Sequence, residues 1–322
     1  MDQNYQNHQP FGEGDSPFAP VVRKNAKYYR ARAREALKGK WVHGSLGTFC
    51  YTALIGIVAS AAVLIGMIPM FAMIFARILS DDAHTLEAGD AGIVLGGMGL
   101  MLLFVFAATI FFGGPLIVGY CRMQLDVIDG KPVELATLFT SFKNGYWKSV
   151  GLYGLYMLFS LVALLPMLGG VLLGVVFGAL ASLASETLAM VILFSMFGIG
   201  YVLMFVALFI FLFRYGLSFY IRAEYPEMRA IDVLRNSASL MRGNKWKLFC
   251  LSCSFIGWIL LLIPVGILTC GIGMSIGMYV LYTYMYYAQA AFYDDVANRA
   301  AARETEFPSL DPDDYDPNAV KW

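Results

Sequence analysis

Histidine is almost missing: His8, His43 and His84 are the only three in 322 residues, in a polar leader, beside an apolar run and in an acidic loop. There is no His-Glu-x-x-His helix, Gly-x-Ser-x-Gly elbow or glycine-rich loop closing on Lys-Ser/Thr. The groupings that activate a bound water, a seryl hydroxyl or a phosphoanhydride are therefore lacking. Asp126 and Asp129 make at most half of a metal site, and two carboxylates at a helix end are more often simply solvated. Cysteine offers little more. Cys50, Cys121, Cys250, Cys253 and Cys270 sit in or beside apolar segments, where a thiol packs as a small hydrophobe. Cys250-x-x-Cys253 has no second pair or histidine cluster to complete a zinc site. The expectation is no enzyme, no metal and no cofactor.

Charge is scarce as well. Asp, Glu, Lys and Arg make up 14% of the chain, against about 25% in a soluble domain, and hydrophobic residues reach 59%. A bilayer is the natural solvent for such a composition. Basic and acidic residues both number 23, so no net field argues for nucleic acid. Residues 1–20 are polar and turn-rich with no apolar core of a signal peptide, so the first span is expected to act as an uncleaved anchor.

Six nearly uncharged runs follow: Leu46–Leu79, Gly92–Tyr120, Val150–Ala184, Leu188–Ile221, Trp246–Thr269 and Met274–Tyr293. Each is long enough to cross a hydrocarbon core of roughly 30 Å as a helix. They alternate with basic segments of helical periodicity, and one grammar recurs. Trp147 follows Trp41 by 106 residues and Trp246 follows Trp147 by 99, each tryptophan beside a lysine and ahead of a hydrophobic run. Before them, Ala26/Tyr29/Ala33/Leu37, Leu135/Leu138/Phe142 and Ile231/Leu234/Met241 supply apolar stripes. The reading is an all-α, polytopic membrane protein: six transmembrane helices in three hairpins, each preceded by a cytoplasmic amphipathic helix. Its units cover about 21–122, 123–222 and 223–303 within one membrane domain, 21–303. The tails, 1–20 and the acidic 304–322, are expected to be disordered. Pro69, Pro115, Pro166 and Pro264 interrupt the runs, as breaks or as kinks.

Of the 23 basic residues only Arg77 falls on the far side of this topology, which places both termini in the cytoplasm and the protein in the plasma membrane. Membrane lipids, anionic in kind, and a further protein are the partners this basic face fits. Arg30, Arg32, Arg34, Arg214, Arg222, Arg235, Arg242 and Lys245 are the candidate lipid or partner contacts, with Trp41, Trp147 and Trp246 as interfacial anchors. Arg214 lies deepest, where snorkelling to headgroups competes with pairing to Asp126 or Asp294. With Tyr282, Tyr286 and Gln289 it also makes a candidate polar crevice, although tyrosines near a helix end more often form an interfacial belt.

At the third unit the residues resemble a known family. The run from Ala230, Ala-Ile-Asp-Val-Leu-Arg-Asn-Ser-Ala-Ser-Leu-Met-Arg-Gly-Asn-Lys-Trp-Lys-Leu-Phe, then Leu-Ser-Cys-Ser-Phe-Ile-Gly-Trp-Ile-Leu-Leu from Leu251 and Tyr-Ala-Gln-Ala-Ala-Phe-Tyr from Tyr287, is similar to the closing signature of the bacterial integral-membrane domain-of-unknown-function family 975. Arg-Ala-Arg-Glu-Ala-Leu-Lys-Gly-Lys-Trp41 resembles its opening motif. Where that family carries an Ile-Pro-Gly-Ile segment and an Asp-Asn-Pro-like turn, this chain has Ile221-Arg-Ala-Glu-Tyr-Pro226. The resemblance implies a bacterial membrane location and no established activity. The leading expectation is a non-enzymatic membrane scaffold or accessory subunit that holds anionic lipid or a partner. The alternative is a small transporter or channel with a polar crevice between repeats.

Overall fold

The computed structural model describes residues 24–79 and 88–297. The expected tails, and the acidic loop up to Glu87, lie outside them. Among the described residues there is helix and no strand. In order, the helices are α1 (Ala26–Ala36), α2 (Trp41–Leu79), α3 (Ala88–Ala108), α4 (Gly114–Ile128), α5 (Thr140–Lys143), α6 (Tyr146–Val162), α7 (Leu165–Ser182), α8 (Glu186–Tyr215), α9 (Ser218–Glu224), α10 (Ala230–Leu240), α11 (Lys245–Cys253), α12 (Ile256–Leu268) and α13 (Ile272–Val296). A π-helical turn, Thr109–Gly113, joins α3 to α4, and a tight 3-10 segment, Leu135–Phe139, precedes α5.

Five stretches are long and apolar enough to cross a membrane: Trp41–Pro69, Gly96–Ile128, Tyr146–Ser182, Glu186–Glu224 and Lys245–Leu268. Their large side chains face outward. Leu172, Phe177, Leu180, Phe194, Leu260 and Leu268 are all exposed, a surface that water would not tolerate and lipid tails cover. α13 has the length of a span, at 25 residues, but six tyrosines among them keep it out of this set.

The prolines divide. Pro69 and Pro264 lie inside continuous helices. Pro166 opens α7, where a missing N–H costs nothing, and Pro115 follows directly on the π-helical turn within an unbroken helical run. The apolar run after Trp246 breaks at Ser254–Phe255 instead, where the Ser254 hydroxyl donates to the Leu251 carbonyl at 2.6 Å.

At one end α2 with α3, α7 with α8, and α12 with α13 pack as antiparallel pairs. The α7/α8 pair is set by glycine: a Cβ on Gly170 would stand 2.7 Å from the Met196 carbonyl oxygen, and one on Gly200 2.9 Å from that of Pro166. Gly174 faces Leu193 the same way. Small residues let backbones approach in lipid, where association rests on packing rather than on a hydrophobic force. Gly200→Leu is expected to force the pair apart and cost about 1–3 kcal/mol. The check is an earlier loss of helical signal in a thermal scan, with Gly198→Leu, on an open side, unchanged.

At the other end the core lies. α4, α9 and the last turns of α13 converge there and are buried almost throughout. Around them sit the surface segments: α1 against α13, the Leu135–Phe139 segment against α4, and α10 against α9, α6 and α8. All the exposed basic residues named below lie at this end, called here the basic end.

Candidate functional site: a buried polar centre and its basic rim

One short pattern occurs where the three converging helices meet: Tyr120-Cys-Arg122 on α4, Tyr220-Ile-Arg222 on α9 and Tyr287-Ala-Gln289 on α13. The three tyrosines are 1%, 3% and 0% exposed. Tyr220 lies within electrostatic reach of both others. Between them stands Gln124, fully buried on α4. Tyr220 Oη donates to Gln124 Oε1 at 2.7 Å and also approaches the Tyr286 carbonyl at 3.3 Å. Tyr120 Oη shares a 2.8 Å bond with Thr48 Oγ1 on α2, to which Thr283 Oγ1 on α13 also donates at 2.8 Å. Four helices are thereby tied by uncharged groups. A buried polar chain of this kind fixes one arrangement of helices, because each unmade bond would cost its full desolvation. Gln124 Nε2 and Tyr287 Oη are buried with no partner.

The rim is made of charge. Arg32 on α1 pairs with the Asp294 carboxylate on α13, whose side chain is wholly buried. Beside it Tyr29 Oη and Lys24 Nζ both donate to Asp295 at 2.8 Å. Burial, then the Asp295 bond, holds the Tyr29 phenol well above its ordinary range, and Asp295 raises Lys24. Lys131 and Arg122 meet Asp126 at 3.0 and 3.5 Å. Lys148 pairs with Glu227 and holds that carboxyl below its usual range. Lys40 Nζ donates to the carbonyls of Gly130 and Lys131 at 3.1 and 2.8 Å. The connectors are thus stitched to the ends of the converging helices.

The sequence profile of the family described as a protein of unknown function, DUF975, matches residues 24–300. The chain belongs to DUF975. No curated protein and no solved structure matches it. The DUF975 domain takes in every described residue, so polar centre and rim are both features of the family's own segment in this chain.

The residues picked out by sequence scatter across this DUF975 fold. Arg34, Arg214, Arg235, Arg242 and Lys245 are exposed at the basic end, and so are Trp147 and Trp246, at 72% and 69%. Trp41 is half-buried, edge-on to Tyr284 at 6.0 Å. Arg30 is half-buried and leans on the Ser254 carbonyl at 3.5 Å. Arg32 is spent on Asp294. Arg222 is 1% exposed, its guanidinium inside the protein. Asp126 and Asp294, considered as partners for Arg214, are taken by other cations. Arg214 lies beside the Tyr215 ring, at 5.6 Å, and its carbonyl accepts from Ser237.

Of the expected crevice, Tyr282 and Tyr286 stand 6.5 Å apart, with Tyr282 exposed. Among the described residues no hydrogen bond joins Arg214 or Gln289 to either ring. The open groove nearest that region, about 370 Å³ between α2 and α13, is lined by Val42, Leu46, Phe49, Ile276, Tyr279 and Val280 with two serines. The polar residues that do converge, Thr48, Tyr120, Gln124, Tyr220 and Thr283, escaped the sequence reading. The signal available was the recurring Tyr-x-Arg/Gln triplet.

Proposed function

We propose that this chain is a non-enzymatic membrane scaffold or accessory subunit: six spans in three repeated hairpin units, basic end in the cytoplasm of a bacterium, holding anionic lipid there. Support for the repeat comes from backbone as well as from sequence. Gly39, Gly145 and Gly243 all take the left-handed conformation, at φ 76°, 73° and 79°, two or three residues before Trp41, Trp147 and Trp246. Lys40 and Lys148, each adjoining its tryptophan, reach carbonyls of the loop that follows the second helix of their own unit. Each surface segment leans on the unit before it, and α1 closes the circle on α13.

The observation that carries the lipid reading is how the cations divide. Arg32, Lys40 and Lys148 turn inward or along the seams and hold the fold. Lys27, Arg34, Lys38, Lys143, Arg229, Arg235, Arg242 and Lys245 are left exposed on the same end as the bare rings of Trp147 and Trp246. Such a collar matches a headgroup layer, where each basic residue contributes up to about 1 kcal/mol toward an anionic leaflet. Neutralising Arg34, Arg229, Arg235 and Arg242 together to glutamine is expected to cut the salt-sensitive enrichment of anionic lipid around the full chain at least about tenfold. Lipid carried through purification from a mixed bilayer measures it, and an unchanged ratio would refute the role. Transport is the second reading, drawn from the unpartnered Gln124 Nε2 and Tyr287 Oη. It requires substrate-dependent flux that Gln124→Leu abolishes.

A further inference from the structure

Among the described residues Arg222 is the largest fully buried side chain, yet its guanidinium is only partly used. Nη1 donates to the Met228 carbonyl at 2.6 Å. Nε and Nη2 are buried and have no acceptor. Those two N–H groups share one edge of the guanidinium plane, the edge that grips an oxyanion through two parallel bonds. A whole bidentate edge is therefore vacant on a permanently cationic group. Of the two acids that follow closely in sequence, Glu224 accepts from the Tyr293 hydroxyl at 2.6 Å and Glu227 is held by Lys148.

Gly145 lies beside that edge: a Cβ there would stand 3.7 Å from Nη2 and 3.2 Å from the Pro226 carbonyl, so at this point the guanidinium is neighboured by a residue with no side chain. Gly145 is half-buried, and its neighbours Lys143, Asn144, Trp147 and Lys148 are exposed. Lys148 ties this seam twice, through its pair with the Glu227 carboxylate, open to solvent on both sides, and through a bond to the Glu227 carbonyl at 3.1 Å. Exposed pairs of this kind yield readily to a competing anion.

We infer that Arg222 is a latent site for a phosphoryl oxyanion, that of one anionic phospholipid. The lipid phosphate takes the Nε/Nη2 edge once the Asn144–Gly145 turn lifts from Pro226, and Lys148 exchanges Glu227 for the same headgroup. The inference rests on the lipid-binding reading above but uses a different cation: the collar concentrates many lipids loosely, and Arg222 holds one tightly.

The test uses the full chain in detergent after exchange into phosphatidylglycerol, with native mass spectrometry counting the lipids that survive delipidation. Wild type is expected to keep one phosphatidylglycerol. Arg222→Gln should reduce it at least tenfold, and so should Arg222→Lys, which keeps the charge but lacks the paired edge. The glutamine variant removes the buried cation and, with it, the bond to the Met228 carbonyl, so its melting temperature is read beside its lipid count. Should both variants fail to fold, wild type alone decides: soluble short-chain phosphatidylglycerol is expected to raise its melting temperature by about 3 °C or more, and a phosphate-free galactolipid to leave it unmoved. Equal retention by Arg222→Gln, or equal stabilisation by the galactolipid, would overturn the site. Displacement of the lipid by millimolar inorganic phosphate would overturn its assignment to lipid. The variant of Arg34, Arg229, Arg235 and Arg242 should keep the single tight lipid while losing the loose ones, which separates failure of the collar from failure of this site.

Discussion

Gly119→Ala is expected to unseat the Leu135–Phe139 segment from α4 and cost about 3 kcal/mol or more, the upper end of what overpacking exacts. The methyl carbon would stand 2.1 Å from the Leu138 carbonyl oxygen, 2.7 Å from its carbon and 3.0 Å from its Cα. All three are backbone atoms, so no rotamer change relieves them. Retreat is closed as well: Leu138 is 1% exposed, seated against Tyr120 and Met123. Two readouts should move together, a lower melting temperature and faster tryptic cleavage at Lys143, which lies just beyond the segment. Gly151→Ala is the control. Its Cβ would meet nothing within 4 Å, and alanine favours a helix interior by roughly 0.5–1 kcal/mol, so that variant should match or exceed wild type. Equal behaviour of the two variants would mean that the segment does not lie on Gly119.

Asp294→Ala is expected to free α1. The carboxylate is completely buried and Arg32 is 24% exposed. Breaking a fully buried pair costs about 3–5 kcal/mol, and the partial exposure of the arginine brings the figure down to about 2–4 kcal/mol. α1 retains the Tyr29 and Lys24 bonds to Asp295 and the edge-on contact of Tyr29 with Phe292 at 5.2 Å. The effect should thus be local: faster amide exchange over Ala26–Ala36 and new tryptic cuts at Arg30 and Arg34, with α6 to α9 unchanged. In a double-mutant cycle Arg32→Ala should cost much less on the Asp294→Ala background than in wild type. Full additivity would remove the pair from the account.

These two contacts mark the limit of what the chain discloses before it is folded. Hydropathy reports the solvent a helix faces: of the six runs read from the sequence, five overlap the apolar stretches and Met274–Tyr293 falls outside them. Glycine after a basic run, as at Gly39, Gly145 and Gly243, is legible because only a residue without Cβ takes a positive φ at no cost. Partnership is not legible, since it depends on which helix end arrives alongside. Arg30, Arg32 and Arg34 look alike in sequence. Yet Arg32 reaches Asp294, Arg30 leans on a carbonyl and Arg34 stays exposed. The tyrosines of α13 suggested a belt or a crevice, but Tyr287 and Tyr293 are core residues and only Tyr282 is bare. Gln124 is fully buried because α9 brings Tyr220 against it, from 96 residues away. The break at Ser254 carries no proline or glycine to announce it.

The docking of α1 upon α13 has a consequence for biosynthesis. Among the described helices the first to be translated rests on the last, so α1 waits unseated while α2 to α12 are made. A product truncated before Asp294 leaves that helix without its seat for good, a basic, tyrosine-bearing flag by which unfinished copies differ from complete ones.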